Sequence, residues 1–460
     1  MRFVSTRGGS PAIPFSDVLV GALAPDGGLY VPETWPTGCA WPLVNRNYRT
    51  VALDVLRQFT GDGVSLEDLA EDIDAAYATF DHPDIAPLVE LRPGLYLLEL
   101  FHGPTLAFKD VALQLLARLM SRELARRNAR ATILVATSGD TGSAAIAAFG
   151  GLPQFTIFVL HPKGRVSEVQ RRQMTTSPHA NVHNIALEGT FDDAQALVKG
   201  LFADREFTTA RALTAVNSIN CIRIVAQSVY YFTTVAKLGR TARFVVPTGN
   251  FGDIFAGDAA ARMGVPIGGL VAATNSNDIL ARALNGGEYA IHRAQATLSP
   301  SMDIQVASNF ERALFEVSGR DHGWVRAAMD ILGREHRLAI STPMLDGLRS
   351  RYTADAVSDA ETLQAIREAY DRYGRLIDPH TAVGLAAANR LSTTGTEPAV
   401  VLATAHPAKF PETVAKATGM VPPLPPRLQQ SYLGEERATV LPPDIDQIRS
   451  FIETSTPHEC

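Results

Sequence analysis

From Leu95 onward, apolar runs of four to seven residues alternate with segments of helical periodicity. The runs Leu95–Phe101, Thr132–Ala136, Phe155–Leu160, Val182–Leu187, Arg243–Val246, Leu270–Ala273 and Ala399–Ala403 read as strands. Helical spacing follows most of them, notably at Val111–Arg127, Ser143–Phe149, Ile222–Lys237 and Ile254–Met263. Near-continuous apolar strands separated by helices are the signature of a parallel α/β fold buried on both faces. Before Leu95 the pattern is different. Gly8-Gly9, Pro11, Pro14 and Ala24-Pro25-Asp26-Gly27-Gly28 read as turns, and Ser65 with Asp68 opens a capped helix carrying Leu66, Leu69 and Ile73.

These patterns predict four regions: a mainly helical N-terminal domain at 1–95, a first α/β lobe at 96–240, a second at 241–420, and an extension at 421–460. The extension carries Pro422, Pro423, Pro425, Pro426, Pro442 and Pro443 and is expected to wrap the surface without forming a domain.

Composition narrows the class of function. Basic residues number 42 and acidic ones 48, a net charge of −6, with 46% hydrophobic residues. This profile excludes disorder and argues against nucleic acid or an anionic membrane as the main partner. No run of about 18 apolar residues is present to span a bilayer. Cys39, Cys221 and Cys460 form neither a CxxC pair nor an even disulfide set, so a cytoplasmic enzyme is the default. His179 and His183 are four apart, but without a Glu between them they lack the metalloprotease pattern, and no metal site is expected.

Three strand-to-helix junctions carry the candidate chemistry, because ligands of parallel sheets bind beyond the carboxyl ends of strands. At the first, Lys109 lies between Phe108 and Val111 near a helix start, where desolvation and the helix dipole both lower an amine's pKa. Only five other lysines exist: Lys163, Lys199, Lys237, Lys409 and Lys416. The second junction, Thr137-Ser138-Gly139-Asp140-Thr141-Gly142, offers hydroxyls, glycines and helix amides for an anion. The third, Gly249-Asn250-Phe251-Gly252-Asp253, can close backbone amides on a phosphate. An imine-forming lysine beside two anion loops points to pyridoxal phosphate, whose aldehyde needs the first and whose phosphate needs a loop. His161-Pro162-Lys163-Gly164-Arg165 is a further candidate anion site, and equally a solvated loop.

The segment His102-Gly103-Pro104-Thr105-Leu106-Ala107-Phe108-Lys109-Asp110 resembles the pyridoxal-lysine motif of the threonine synthase family, in its longer bacterial and fungal form. Phe15–Leu19, Leu23–Pro32, Ser138–Gly142, Asn217–Asn220, Gly249–Asp253, Ser299–Ile304 and Ser308–Arg312 follow in the family's order, spanning roughly residues 5–412. The resemblance implies the two-lobed α/β fold of the tryptophan-synthase-β class, behind an added N-terminal domain. It also implies conversion of O-phospho-L-homoserine and water to L-threonine and phosphate by a carbon–oxygen lyase.

By the same resemblance, Lys109 would hold pyridoxal phosphate as a Schiff base and then move protons at Cα and Cβ. Gly249, Asn250, Phe251, Gly252 and Asp253 would bind the cofactor phosphate, and Thr404 would meet the pyridine nitrogen. Ser138, Asp140 and Thr141 would line the substrate's amino-acid end, and Asn217 and Arg223 its phosphate. Cys221-Ile222 stands where many longer members carry Trp-Ala, which implies different packing beside that phosphate site. The expected assembly is a monomer or homodimer, between which the sequence does not choose. Two rivals remain: another pyridoxal lyase on this scaffold, such as a phosphothreonine-type phospholyase or a hydroxy-amino-acid dehydratase, and a non-catalytic binding paralogue.

Overall fold

The computed structural model describes residues 1–21, 23–38, 46–391 and 397–456, so Cys39 and Cys460 lie outside the described residues. Two parallel sheets organise the chain. The larger has six strands in the order Tyr352–Ala356, Ile267–Thr274, Ala242–Pro247, Ala399–Ala403, Leu95–Glu99 and Leu88–Arg92. All of its pairings are parallel except the last. The smaller sheet is wholly parallel: Thr439–Leu441, Val182–Leu187, Phe155–Pro162, Ala131–Ala136 and Leu213–Thr214. The seven expected strands are all present, with ends shifted by no more than three residues.

The helices form where caps and apolar faces coincide. Ser65 Oγ accepts from the Asp68 amide, Ser167 and Gln170 form a reciprocal capping box, and Asp378 caps Pro379–Arg390, which begins with proline at its first position. The helix Cys221–Leu238 is buried on nearly every side, because it packs against helices Tyr48–Thr60, Lys109–Arg126 and Gly252–Arg262.

Three expectations change. Strand Leu95–Glu99 does not open the smaller lobe; it pairs with Ala399–Ala403 and with Leu88–Arg92 in the large sheet. A boundary at 95/96 therefore cuts a hairpin, and the partner that carries Leu95–Glu99 into the large sheet, Ala399–Ala403, is about 300 residues away, a pairing that the local apolar pattern does not encode. The first 95 residues carry, beside helices Phe15–Val20, Tyr48–Thr60 and Leu66–Tyr77, an antiparallel sheet of Arg2–Ser5, Ile13–Pro14 and Tyr30–Pro32 that the expectation of a mainly helical region did not include. Those strands are too short to show alternation. The C-terminal segment adds strand Thr439–Leu441 to the edge of the small sheet, and Ile448 and Ile452 of helix Ile445–Ser455 enter that lobe's core.

The N-terminal region shares its core with the lobes: Phe3, Phe15, Phe59 and Tyr77 join one apolar cluster with Val111, Leu115 and Val225. Arg312 ties the region down. Fully buried, it donates to the Tyr30 carbonyl from Nε at 3.1 Å and Nη2 at 2.9 Å, and to the Ile219 carbonyl at 2.7 Å. Arg312→Leu strands two carbonyls in a dry core and should lower unfolding free energy by about 3 kcal/mol or more. Urea denaturation checks this, as a lower midpoint at unchanged slope.

Candidate active site

The cleft between the lobes encloses a cavity of about 550 Å³. Lys109, Ser138, Asp140, Thr141, Asn217, Arg223, Gly249, Asn250, Phe251, Gly252, Asp253 and Thr404 all line it. Lys163 and Arg165 do not; Lys163 is exposed and paired with Glu188 at 3.1 Å. His183 stacks on Phe158 with ring centroids 4.8 Å apart.

Lys109 is the first residue of helix Lys109–Arg126. The chain reaches it through Leu106, at φ 59°, and through the amide of Phe108, which donates to the Thr404 carbonyl at 2.8 Å. That bond ties the lysine to the end of strand Ala399–Ala403. Lys109 Nζ lies 4.6 Å from the centre of the Phe108 ring and 3.6 Å from Asp140 Oδ2. Burial pulls its pKa below the ordinary lysine value; Asp140 opposes this, and Lys409 and Arg223 add to the lowering.

Asp140 opens helix Asp140–Phe149 and is almost fully buried. Burial pushes its carboxyl up, but Lys409, Lys109 and His380 together hold it well below the usual carboxylate range. Its Oδ1 is 2.8 Å from Lys409 Nζ and accepts from Gln170 Nε2 at 2.9 Å. Its Oδ2 accepts from Ser301 Oγ at 3.3 Å. The loop before it is folded around Thr137 Oγ1, which accepts from the Gly139 and Gly142 amides, both at 2.9 Å.

Opposite lies the Gly249–Asp253 loop. Phe251, at φ 63°, turns the chain into helix Gly252–Arg262. The first amide of this helix to bond internally is that of Phe255, on the Phe251 carbonyl at 3.1 Å, which leaves earlier first-turn amides for a ligand. A Cβ on Gly249 would meet the Ser301 carbonyl at 3.0 Å, so the loop is packed as closely as a backbone cradle requires. Asn309 fixes it from behind, donating to the Asn250 carbonyl from both its amide and its Nδ2 at 3.0 Å. Burial pushes Asp253 up to about 6 against the Tyr230 and Tyr231 hydroxyls.

Arg223 is fully surrounded in helix Cys221–Leu238. Its Nη1 donates to the Val216 carbonyl at 3.0 Å, and its Nε has no partner among the described residues. Burial lowers the guanidinium to about 10, still cationic at neutral pH. Asn217 lines the same wall, where its Oδ1 accepts from the Ile219 amide at 3.2 Å. A buried cation with an unfilled donor, facing the lysine across one cavity, is a place for an anion.

Comparison with known proteins is consistent from end to end. The threonine synthase of Pseudomonas aeruginosa is 48% identical and the match covers 98% of each chain. The chain belongs to the threonine synthase family. Family profiles match in order: "Threonine synthase N terminus" at residues 2–77, "Pyridoxal-phosphate dependent enzyme" at 80–342 and "Threonine synthase, C-terminal" at 381–452. The crystal structure titled as PLP-bound threonine synthase from Brucella melitensis is 50% identical, with a TM-score of 0.95 over 99% of both chains. That of yeast threonine synthase is 36% identical, with a TM-score of 0.92 over 99% of this chain and 98% of its own. The expected two-lobed α/β fold is thus the fold of the family.

The family's cofactor fits the residues present. An amine of lowered basicity, a glycine-lined amide cradle and a hydroxyl residue, Thr404, face one cavity. In the sequence Lys409 is only one of six lysines, and Ser301, Gln170 and His380 carry no assigned role. The last accepts from the Ser301 amide at 3.3 Å and is held by Asp378 at 2.8 Å. A possible signal was Asp378-Pro379, a helix-start pair immediately before His380.

Cys221 is buried, and burial pushes its thiol up to about 11. Native protein at pH 8 should alkylate at Cys221 about 100-fold more slowly than denatured protein, as read by peptide mass mapping. Rapid native labelling there would instead show an accessible, reactive thiol.

Proposed function

We propose that the chain is a threonine synthase, a carbon–oxygen lyase that converts O-phospho-L-homoserine and water to L-threonine and phosphate. The observation that carries the reading is Arg223: a buried guanidinium with an unpartnered Nε lines the same cavity as Lys109 and the Gly249–Asp253 cradle. One anion loop serves the cofactor phosphate, and Arg223 with Asn217 leaves a second anion position for the substrate phosphate.

Pyridoxal phosphate, when bound, supplies an aldehyde for the substrate amine and a ring that spreads the electron pair left at Cα. Lys109 Nζ is the amine that holds this aldehyde between turnovers. Once displaced by substrate, the same amine takes the Cα proton and later moves a proton at Cβ. The Gly249, Asn250, Phe251, Gly252 and Asp253 segment binds the cofactor phosphate through its amides. Thr404 would meet the ring nitrogen with a hydroxyl, a partner that, unlike a carboxylate, would leave that nitrogen largely unprotonated. Ser138, Asp140 and Thr141 orient the amino-acid end. Asn217 and Arg223 would hold the phosphate as it leaves Cγ; the proton taken from Cβ is balanced by one delivered to Cγ, which becomes the methyl group, and water then adds at Cβ.

The test is product analysis. Purified holoprotein given O-phospho-L-homoserine should release phosphate and L-threonine in equal amounts. Phosphate accompanied by ammonia and an oxo acid would instead identify a phospholyase, and no turnover would favour a binding paralogue. Lys109→Ala should lose both turnover and the visible absorption of the lysine-linked cofactor. Arg223→Ala should keep that absorption and weaken substrate binding about ten- to a hundredfold, since a charge-assisted phosphate contact is worth about 1.5–3 kcal/mol. Loss of cofactor in this variant would assign Arg223 to the cofactor site.

A further inference from the structure

Lys409 is fully buried, a position lysine rarely takes without a partner. It closes the turn Pro407–Lys409, just beyond Thr404. Its Nζ lies 2.8 Å from Asp140 Oδ1 and donates to the Thr105 carbonyl at 2.8 Å. Lys109 Nζ approaches the other oxygen of the same carboxylate, at 3.6 Å. Two lysines therefore share one buried acid, and the lysine given no part in the reaction is the nearer of the two.

The charged groups around Lys109 come from five further segments. Asp140 faces it from helix Asp140–Phe149, Lys409 from the turn, Arg223 from helix Cys221–Leu238 and Asp253 from helix Gly252–Arg262. His380 of helix Pro379–Arg390 acts on Asp140. Asp110, next on its own helix, is engaged by the Thr105 amide and hydroxyl, both at 2.8 Å.

An amine that must bond an aldehyde or take a proton has to be neutral for part of each cycle. If Asp140 and Lys109 were alone together, deprotonating Lys109 would leave a lone carboxylate in a dry site, which is strongly unfavourable. With Lys409 in place, the same proton loss leaves a matched Asp140–Lys409 pair. We propose that Lys409 is a positioning residue acting through Asp140: it is the standing counter-ion that lets the Lys109 amine give up its proton. The proposal rests on the reading of Lys109 as the cofactor lysine.

Competitive acylation of cofactor-free protein with trace acetic anhydride across pH tests it. Peptide mass mapping follows Lys109 against the exposed Lys237 as internal reference. In wild type the Lys109 midpoint should lie below that of Lys237. Lys409→Met should raise it by about one unit or more, so that labelling at pH 8 slows about tenfold, whereas Lys409→Arg should restore it. Asp140→Asn should lower the midpoint, which keeps the test decisive if Lys409→Met does not fold. An unmoved midpoint in folded Lys409→Met or in Asp140→Asn, or a wild-type midpoint at or above that of Lys237, overturns the inference alone. Borohydride reduction of holoprotein separates the two readings: a pyridoxyl group on another lysine removes the assignment of Lys109, and this inference with it.

Discussion

A carboxylate taken out of water is tolerated only where cations and donors replace its hydration, and Asp140 is the point at which this protein meets that requirement. Its partners come from both sides of the cleft. Gln170 and the helix it caps belong to the smaller lobe, and Lys409 and Ser301 to the larger. The cluster therefore does two things with one charge. It holds the lobes in register around the cavity, and it sets the field in which the Lys109 amine sits.

The other groups that line the cavity obey a related constraint. Parallel strands end on one side of each sheet, and the helices that follow present free amides there. In this chain the Gly249–Asp253 turn and the Ser138–Gly142 turn face each other across the cleft, so each lobe brings one cradle to the shared cavity. Arg223 is placed differently, from the middle of the core. Its wall of the cavity is held by Arg312, which joins the Ile219 carbonyl to the Tyr30 carbonyl of the N-terminal region. The first residues thereby support the wall that carries Asn217 and Arg223, although none of them lines the cavity.

Much of the architecture was legible because buried parallel strands and capped helices leave strong local patterns. Strands Val182–Leu187 and Ala399–Ala403 have the ends that their apolar runs predict. Tyr352–Ala356 was missed because an edge strand with one buried residue, carrying Thr353 and Asp355, shows little apolar signal. Thr439–Leu441 was read as part of a wrapping tail for the same reason, since a three-residue strand is defined by its partner and not by its own composition.

The sequence by itself determined the residue types at the strand-to-helix junctions: a lysine beside Phe108, glycines at 249 and 252, and a hydroxyl at 404. These could be read because each carries its chemistry in its own side chain or in the conformational freedom of its backbone. Tertiary structure alone decided what lies opposite what. Nothing local to Lys409 indicates that its ammonium reaches Asp140, 269 positions earlier, or that Asp140 also meets Lys109. Electrostatic environment depends on distance and burial, both products of packing between segments remote in the chain. The chemistry of the parts was therefore visible in one dimension, and the protonation state of the amine only in three.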